Sequence, residues 1–153
     1  MKRRIAFAAL GFATLLAGCA HEKAGLDGYR WAYLEGGSEP PRLAYGRPDS
    51  DDVVLMFTCQ PGRDEITAWV EASDKELVLA SGRAESRFPG AHVADEMSET
   101  GHLEAQGKAS APALAAFKRT GELTLVTEGE RHSLAATGAD RGRVRAFFKA
   151  CGA

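Results

Sequence analysis

Val53-Val54-Leu55-Met56-Phe57-Thr58-Cys59 (VVLMFTC) is the most apolar run in the chain after its N-terminus. Turn-forming residues bound it on both sides, Arg47-Pro48-Asp49-Ser50-Asp51-Asp52 before and Gln60-Pro61-Gly62-Arg63-Asp64 after. A short apolar run between two turns reads as a central strand of a sheet. The rest of the fold is read outward from it.

On the C-terminal side, Glu65 to Ala72 (EITAWVEA) alternates Ile66, Ala68 and Val70 with Thr67 and Trp69, which is strand period. Ser73-Asp74-Lys75 turns into another strand, Glu76 to Ala80. From Ser81 to Glu99 the pattern weakens around Pro89 and Gly90, and an extended strand followed by an exposed loop is expected. Gly101 to Ser110 alternates modestly, as a strand would. Pro112 to Thr120 (PALAAFKRT) places Pro at a helix N1 position and Gly121 just past its end, so a short helix is predicted. Glu122–Thr127 and His132–Thr137 read as a strand pair across Glu128-Gly129-Glu130-Arg131. Asp140 is placed to cap a last helix, Arg141 to Ala150, with Val144, Phe147 and Phe148 on one face.

On the N-terminal side, Arg42 to Gly46 is a brief strand. Gly36-Gly37-Ser38-Glu39-Pro40-Pro41 separates it from Gly28 to Leu34 (GYRWAYL), where Tyr29, Trp31 and Tyr33 alternate with Arg30, Ala32 and Leu34. The expected fold is mainly β: a small antiparallel sandwich or open barrel of about six to eight strands, with one short internal helix and a short C-terminal helix. Residues 28–153 form this single domain.

The N-terminus carries a different signal. Lys2, Arg3 and Arg4 precede the apolar run Ile5 to Leu16, broken only by Gly11 and Thr14. That run is too short to span about 30 Å of hydrocarbon, but it suits a signal segment. Leu16-Ala17-Gly18-Cys19 closes it and resembles the lipobox of bacterial lipoproteins. The resemblance implies cleavage between Gly18 and Cys19, removal of residues 1–18, and acylation of the Cys19 thiol and amine. Multiple acyl chains anchor far more firmly than one. Ala20, rather than Asp, follows the cysteine, which implies the outer membrane, with the domain facing the periplasm. Residues 19–27 then act as a lipidated tether.

If Cys19 carries lipid, Cys59 and Cys151 are the remaining pair in an oxidising compartment, and a disulfide between them is expected. It would tie the central strand to the C-terminal helix. Nothing resembles Cys-x-x-Cys, so a redox role is not expected.

Loss of the three basic signal residues takes the formal charge from −2 to −5, since 16 basic residues then face 21 acidic ones. This argues against a nucleic-acid partner and gives no polybasic help toward anionic lipid. Catalytic and metal motifs are absent from the sequence, and no cofactor is expected. His21, His92, His102 and His132 lack zinc-ligand spacing. His92 with Asp95 and Glu96 reads as a polar loop, and Asp49, Asp51 and Asp52 around Ser50 read as a solvated turn, because calcium-loop register fails after Asp51. No Gly-x-Ser-x-Gly occurs, and Ser98 and Ser133 lie near histidines only in sequence.

Tyr29, Trp31, Tyr33, Tyr45 and Trp69 form the candidate binding surface. Exposed on one sheet face they suit carbohydrate, peptidoglycan or protein by stacking. Buried, they are half of a core, and strand alternation favours that reading.

Two further resemblances bear on function. Tyr45 to Cys59 (YGRPDSDDVVLMFTC), with Phe147-Phe148-Lys149-Ala150-Cys151-Gly152, looks like a layout recurring in small exported β-rich domains of Gram-negative bacteria, which implies no activity. Phe57-Thr58-Cys59, Ile66–Val70 and Leu77–Gly82 are similar to the membrane-bound inhibitors of c-type lysozyme. That family's Ser-Gly-Tyr is not kept, because Arg83 follows Ser81-Gly82. The expected function is a membrane-anchored, non-enzymatic domain that binds an envelope protein or peptidoglycan. The alternatives are an inhibitor of a lytic enzyme, and a periplasmic hydrolase built on His92 or His132 with a carboxylate and a serine.

Overall fold

The computed structural model describes residues 22–23, 25–35, 37–95 and 98–153. Gly18, Cys19 and the rest of the signal segment lie outside the described residues, as do His21 and Glu96.

The protein is mainly β. Strands β1 (Glu22–Lys23), β2 (Arg30–Leu34), β3 (Arg42–Gly46), β4 (Val53–Cys59), β5 (Ile66–Val70), β6 (Glu76–Ser81), β7 (Ala84–Asp95) and β8 (Ser98–Gly107) precede helix α1 (Pro112–Thr120). Strands β9 (Thr124–Thr127) and β10 (Glu130–Ser133) and helix α2 (Asp140–Ala150) follow. The strands form one curled, open half-barrel in the order β1-β10-β9-β6-β7-β8-β5-β4-β3-β2. Every neighbouring pair is antiparallel except β1 with β10, which is parallel.

The strand count exceeds the six to eight expected, for two reasons. Residues 22–23 of the supposed tether pair with Arg131 and His132 as an edge strand. The segment after Ser81, read as an extended strand and then an exposed loop, instead continues as one long strand, β7, through Asp95. Its first half pairs with β6 and its second half, from Gly90, pairs with β8. Gly90 permits this handover, because a Cβ there would sit 2.7 Å from Leu103 Cδ1 and 2.8 Å from the Glu104 carbonyl. The β9–β10 connection is also tighter than expected. It is a two-residue turn in which Glu128 and Gly129 both have positive φ, the type I′ geometry that suits a twisted hairpin.

Alternation sets the two faces. On β4 and β5, Leu55, Phe57, Cys59, Ile66, Ala68 and Val70 are buried, while Met56, Thr58, Thr67 and Trp69 are partly exposed. The helices fill the concave side. Helix α1 buries Leu114 and Phe117 against β6 and β7, and α2 buries Val144, Phe147 and Phe148 against β2 and β3. Trp31, fully buried, is the hub: its ring lies 5.1 Å from Phe117, 5.3 Å from Tyr45 and 6.1 Å from Phe57, centroid to centroid. Its indole N–H donates to the Leu134 carbonyl at 2.7 Å, so the one polar atom of the ring is satisfied.

Helix ends show how sequence and packing cooperate. Pro112 opens α1, where its missing N–H costs nothing, but the preceding Ala111 has no capping side chain. Ser86, buried on β7, supplies the acceptor instead, taking the Ala113 N–H at 3.1 Å. Gly121 ends the helix in the left-handed conformation, its N–H donating to the Phe117 carbonyl at 2.7 Å. Asp140 departs from expectation. It is the first residue of α2 rather than its cap, and its carboxylate accepts from the Trp31 backbone N–H at 3.3 Å and from Arg143 at 2.5 Å. A cross-element bond to the hub strand takes the place of a local cap.

Cys59 and Cys151 form a disulfide, with Cα atoms 5.7 Å apart. Gly62 N–H donates to Ala150 O and Asp64 N–H to Cys151 O, so backbone bonds flank the link between the end of β4 and α2.

Candidate functional site

The five aromatics separate by face. Trp31 and Tyr45 are core residues, at 0% and 3% exposure. Tyr29 and Tyr33 share their parity on or beside β2 and also turn inward, Tyr29 stacking toward Tyr45 and Tyr33 meeting Phe147 edge-on at 6.2 Å. These four therefore do not form a shared surface with Trp69. The curl of the sheet and the cover of α2 make their side the inside. Two of them keep polar ties at the rim. The Tyr29 hydroxyl donates to Asp52, which raises its pKa, and the Arg47 guanidinium lies 5.3 Å above its ring. Burial raises the pKa of Tyr45.

Trp69 alone faces outward. Its register neighbours are Met56 on β4 and Glu104 on β8, and the His102 ring lies 5.3 Å away at a 40° tilt. Two residues along the same strands, and so on the same face about 7 Å away, lies the row Thr58, Thr67 and Gln106. These side chains, with Gln60, Glu65 and Lys108, line an open trough of about 580 Å³. The convex face thus places one large aromatic beside hydroxyl, amide and charged groups. Thr58, Thr67 and Gln106 stand outside the candidates that the sequence marks. The signal was there, since alternation that buries Ile66, Ala68 and Val70 must turn Thr67 and Trp69 out.

The other candidates stay apart. His92, on the exposed part of β7, makes its contact with the Asp74 carbonyl at 3.1 Å. His132 lies on β10, 3.5 Å from Glu130, and Ser133 alternates to the opposite side of that strand. In the 49–52 turn, Ser50 Oγ donates to the Arg47 carbonyl and accepts from the Asp52 N–H, and Asp52 pairs with Arg47 at 3.7 Å. Among the described residues, no three His, Cys, Asp or Glu side chains are grouped to hold a metal. No helix among them is long and apolar enough to cross a membrane.

No protein-family model matches the chain, and no curated protein or solved structure matches it either.

Proposed function

We propose that this protein is a lipid-anchored, non-enzymatic binding domain of the cell envelope, held through Cys19 at the outer membrane and facing the periplasm, and that its convex face binds the glycan strands of peptidoglycan. The observation that supports the binding surface is Trp69 standing beside the Thr58–Thr67–Gln106 trough. A sugar ring presents an apolar C–H face to an aromatic and hydroxyls to amides and carboxylates at its edge. The Leu16-Ala17-Gly18-Cys19 sequence supports the anchor.

Co-sedimentation of the protein with purified peptidoglycan sacculi tests the surface. The wild-type chain is expected in the pellet, and Trp69→Ala is expected to weaken retention at least tenfold. A wild-type chain that stays in the supernatant, or an unaltered Trp69→Ala variant, would overturn the glycan reading. Mass spectrometry tests the anchor separately: the mature chain should begin at Cys19 and carry acyl mass, which Cys19→Ser abolishes.

A second reading, inhibition of a lytic enzyme, is supported by the β6–β7 hairpin tip, where Gly82 and Arg83 are exposed next to buried Ser81. It predicts that micromolar protein slows c-type lysozyme and that Arg83→Ala restores the rate. No slowing at that concentration removes it.

A further inference from the structure

The helices concentrate positive charge that the net balance conceals. Together α1 and α2 carry six basic residues (Lys118, Arg119, Arg141, Arg143, Arg145, Lys149) and one acidic residue, Asp140. That is a formal +5 within a chain of −2, which leaves −7 on everything else. The mild negative charge read from the sequence therefore does not describe this side of the molecule.

The two helices lie side by side and run in opposite directions. The end of α1 meets the start of α2, where a Cβ on Gly121 would lie 2.9 Å from Arg141 Nε. The start of α1 meets the end of α2, where Ser110 and Ala153 border one groove. This groove has a volume of about 500 Å³. Ala109 and Ala115 give it a shallow apolar floor, and Lys118 and Arg119 of α1 and Arg145 of α2 rim it.

Ordinary structural roles explain some of these cations. Arg141 donates to the Ala136 carbonyl at 3.3 Å, and Arg143 pairs with Asp140. Lys118 and Arg119 sit in the last turn of α1, where the helix dipole favours a cation. Arg145 has no such account. It lies in the middle of α2, facing the two cations of α1 across the groove. Among the described residues, none of these three makes an ion pair or a side-chain hydrogen bond. The rim carries no carboxylate side chain, and the α-carboxylate of Ala153 at its edge pairs with none of the three cations, so these like charges favour a further anion. Two guanidiniums and an ammonium match the oxygens of a phosphate, Arg by paired donors and Lys as a point charge. The alanine floor leaves room for a group attached to it.

We propose that the groove between α1 and α2 is a binding site for a phosphate group, gripped by Lys118, Arg119 and Arg145. The site is separate from the convex face and stands or falls independently of the glycan reading. The phosphate source is either a soluble phosphate ester or a phospholipid headgroup, and both offer the same oxygens to these cations.

The test uses the full chain in uncharged detergent micelles at low salt, following the side-chain Nε–H resonances of Arg119 and Arg145 by NMR. Glycerol 3-phosphate is titrated first, then phosphatidylglycerol mixed into the micelles, with phosphatidylcholine as the zwitterionic comparison. Saturable shifts with glycerol 3-phosphate support the site and a soluble source. Shifts with phosphatidylglycerol alone support the site and a lipid source. Arg145→Glu is expected to weaken binding tenfold or more with an unchanged thermal midpoint, because its side chain is exposed in mid-helix. Arg119→Gln is independently expected to weaken binding, with a small fall in midpoint as the end of α1 loses a cation. Lys75→Glu, exposed in the turn at the opposite end of β6 from α1's contact with Ser81, is expected to leave it intact. Absence of shifts with both phosphates, equal shifts with phosphatidylcholine, or equal losses in Lys75→Glu and Arg145→Glu would each overturn the proposal.

Discussion

Trp31 and Trp69 occupy the same half of the sheet and belong to strands with the same alternating pattern, yet they have opposite surroundings. Trp31 is enclosed by Tyr45, Phe57 and Phe117 and spends its one donor on Leu134. Trp69 has Met56, Glu104 and His102 beside it and is open on its outer side. Strand period fixes which residues share a face, but not which face is covered. That choice is made by α1 and α2, more than forty residues further along. The layer between the sheet and the helices is therefore a structural region, and the convex face and the outer surface of the helices are free to carry function.

This contrast can be broken most severely by releasing α2 from the concave side. The disulfide joins positions 92 apart, and chain-entropy reasoning assigns such a closure about 4–5 kcal/mol. A Cys59→Ser, Cys151→Ser double variant should lose about that much in denaturant unfolding, and the Trp31 environment should open with it. An unfolding midpoint that does not move would show that packing alone holds the helix.

The tryptophans themselves give the next comparison. Trp31→Ala should cost about 3–5 kcal/mol, because it leaves a cavity against three rings and an unpaired Leu134 carbonyl. Trp69→Ala should cost no more than about 1 kcal/mol, because its outer side is already open to water. Equal losses from the two substitutions would mean that the outer face is a second core.

The smallest effect sharpens the link between the turn after β4 and the start of α1. Asp64 accepts from the Ser110 hydroxyl and N–H, both at 2.7 Å, and these bonds hold its pKa below the usual carboxylate value. Glu130 is lowered likewise by its hydrogen bond and charge pair with Lys23. A depressed folded pKa stabilises the protein above the unfolded value and is lost as pH falls through the folded one. Thermal midpoints should therefore decline as pH drops below about 4, and Asp64→Asn should flatten part of that decline. Tyr29 and Tyr45 act in the opposite range. Their raised values keep the neutral forms favoured, so their contribution is present below about pH 10 and lost above it. An acid limb identical in Asp64→Asn and wild type would remove Asp64 from this account.

Much of this fold was legible because its central strands carry strong alternation between clear turns. Val53–Cys59 and Ile66–Val70 lie where the pattern placed them. The Cys59–Cys151 link was legible from the cysteine count once Cys19 was set aside. The distal part of β7 was not, because Ala91, His92, Val93 and Ala94 are all exposed and no apolar face marks the strand. Its evidence is pairing with β8, a contact across a turn that periodicity does not record. Asp140 departs from its local pattern for a related reason. Its local context suits a cap, but its partner is the Trp31 backbone more than a hundred residues away. The basic groove was concealed by averaging, since net charge sums over surfaces that the fold keeps apart.

The pairing of Glu22–Lys23 with β10 also fixes a length. A nine-residue leash from Cys19 to Asp27 would let a domain wander through a hemisphere. With two of those residues paired at the sheet edge, three peptide units separate Cys19 from Glu22, a span of at most roughly 10 Å. Because β1 runs parallel to β10, Glu22 is the end of β1 nearer the Glu128–Gly129 turn. With Cys19 acylated as proposed, that end of the sheet would lie within this span of the anchored residue, and the domain's reach from the lipid would be set by its own thickness rather than by its leash.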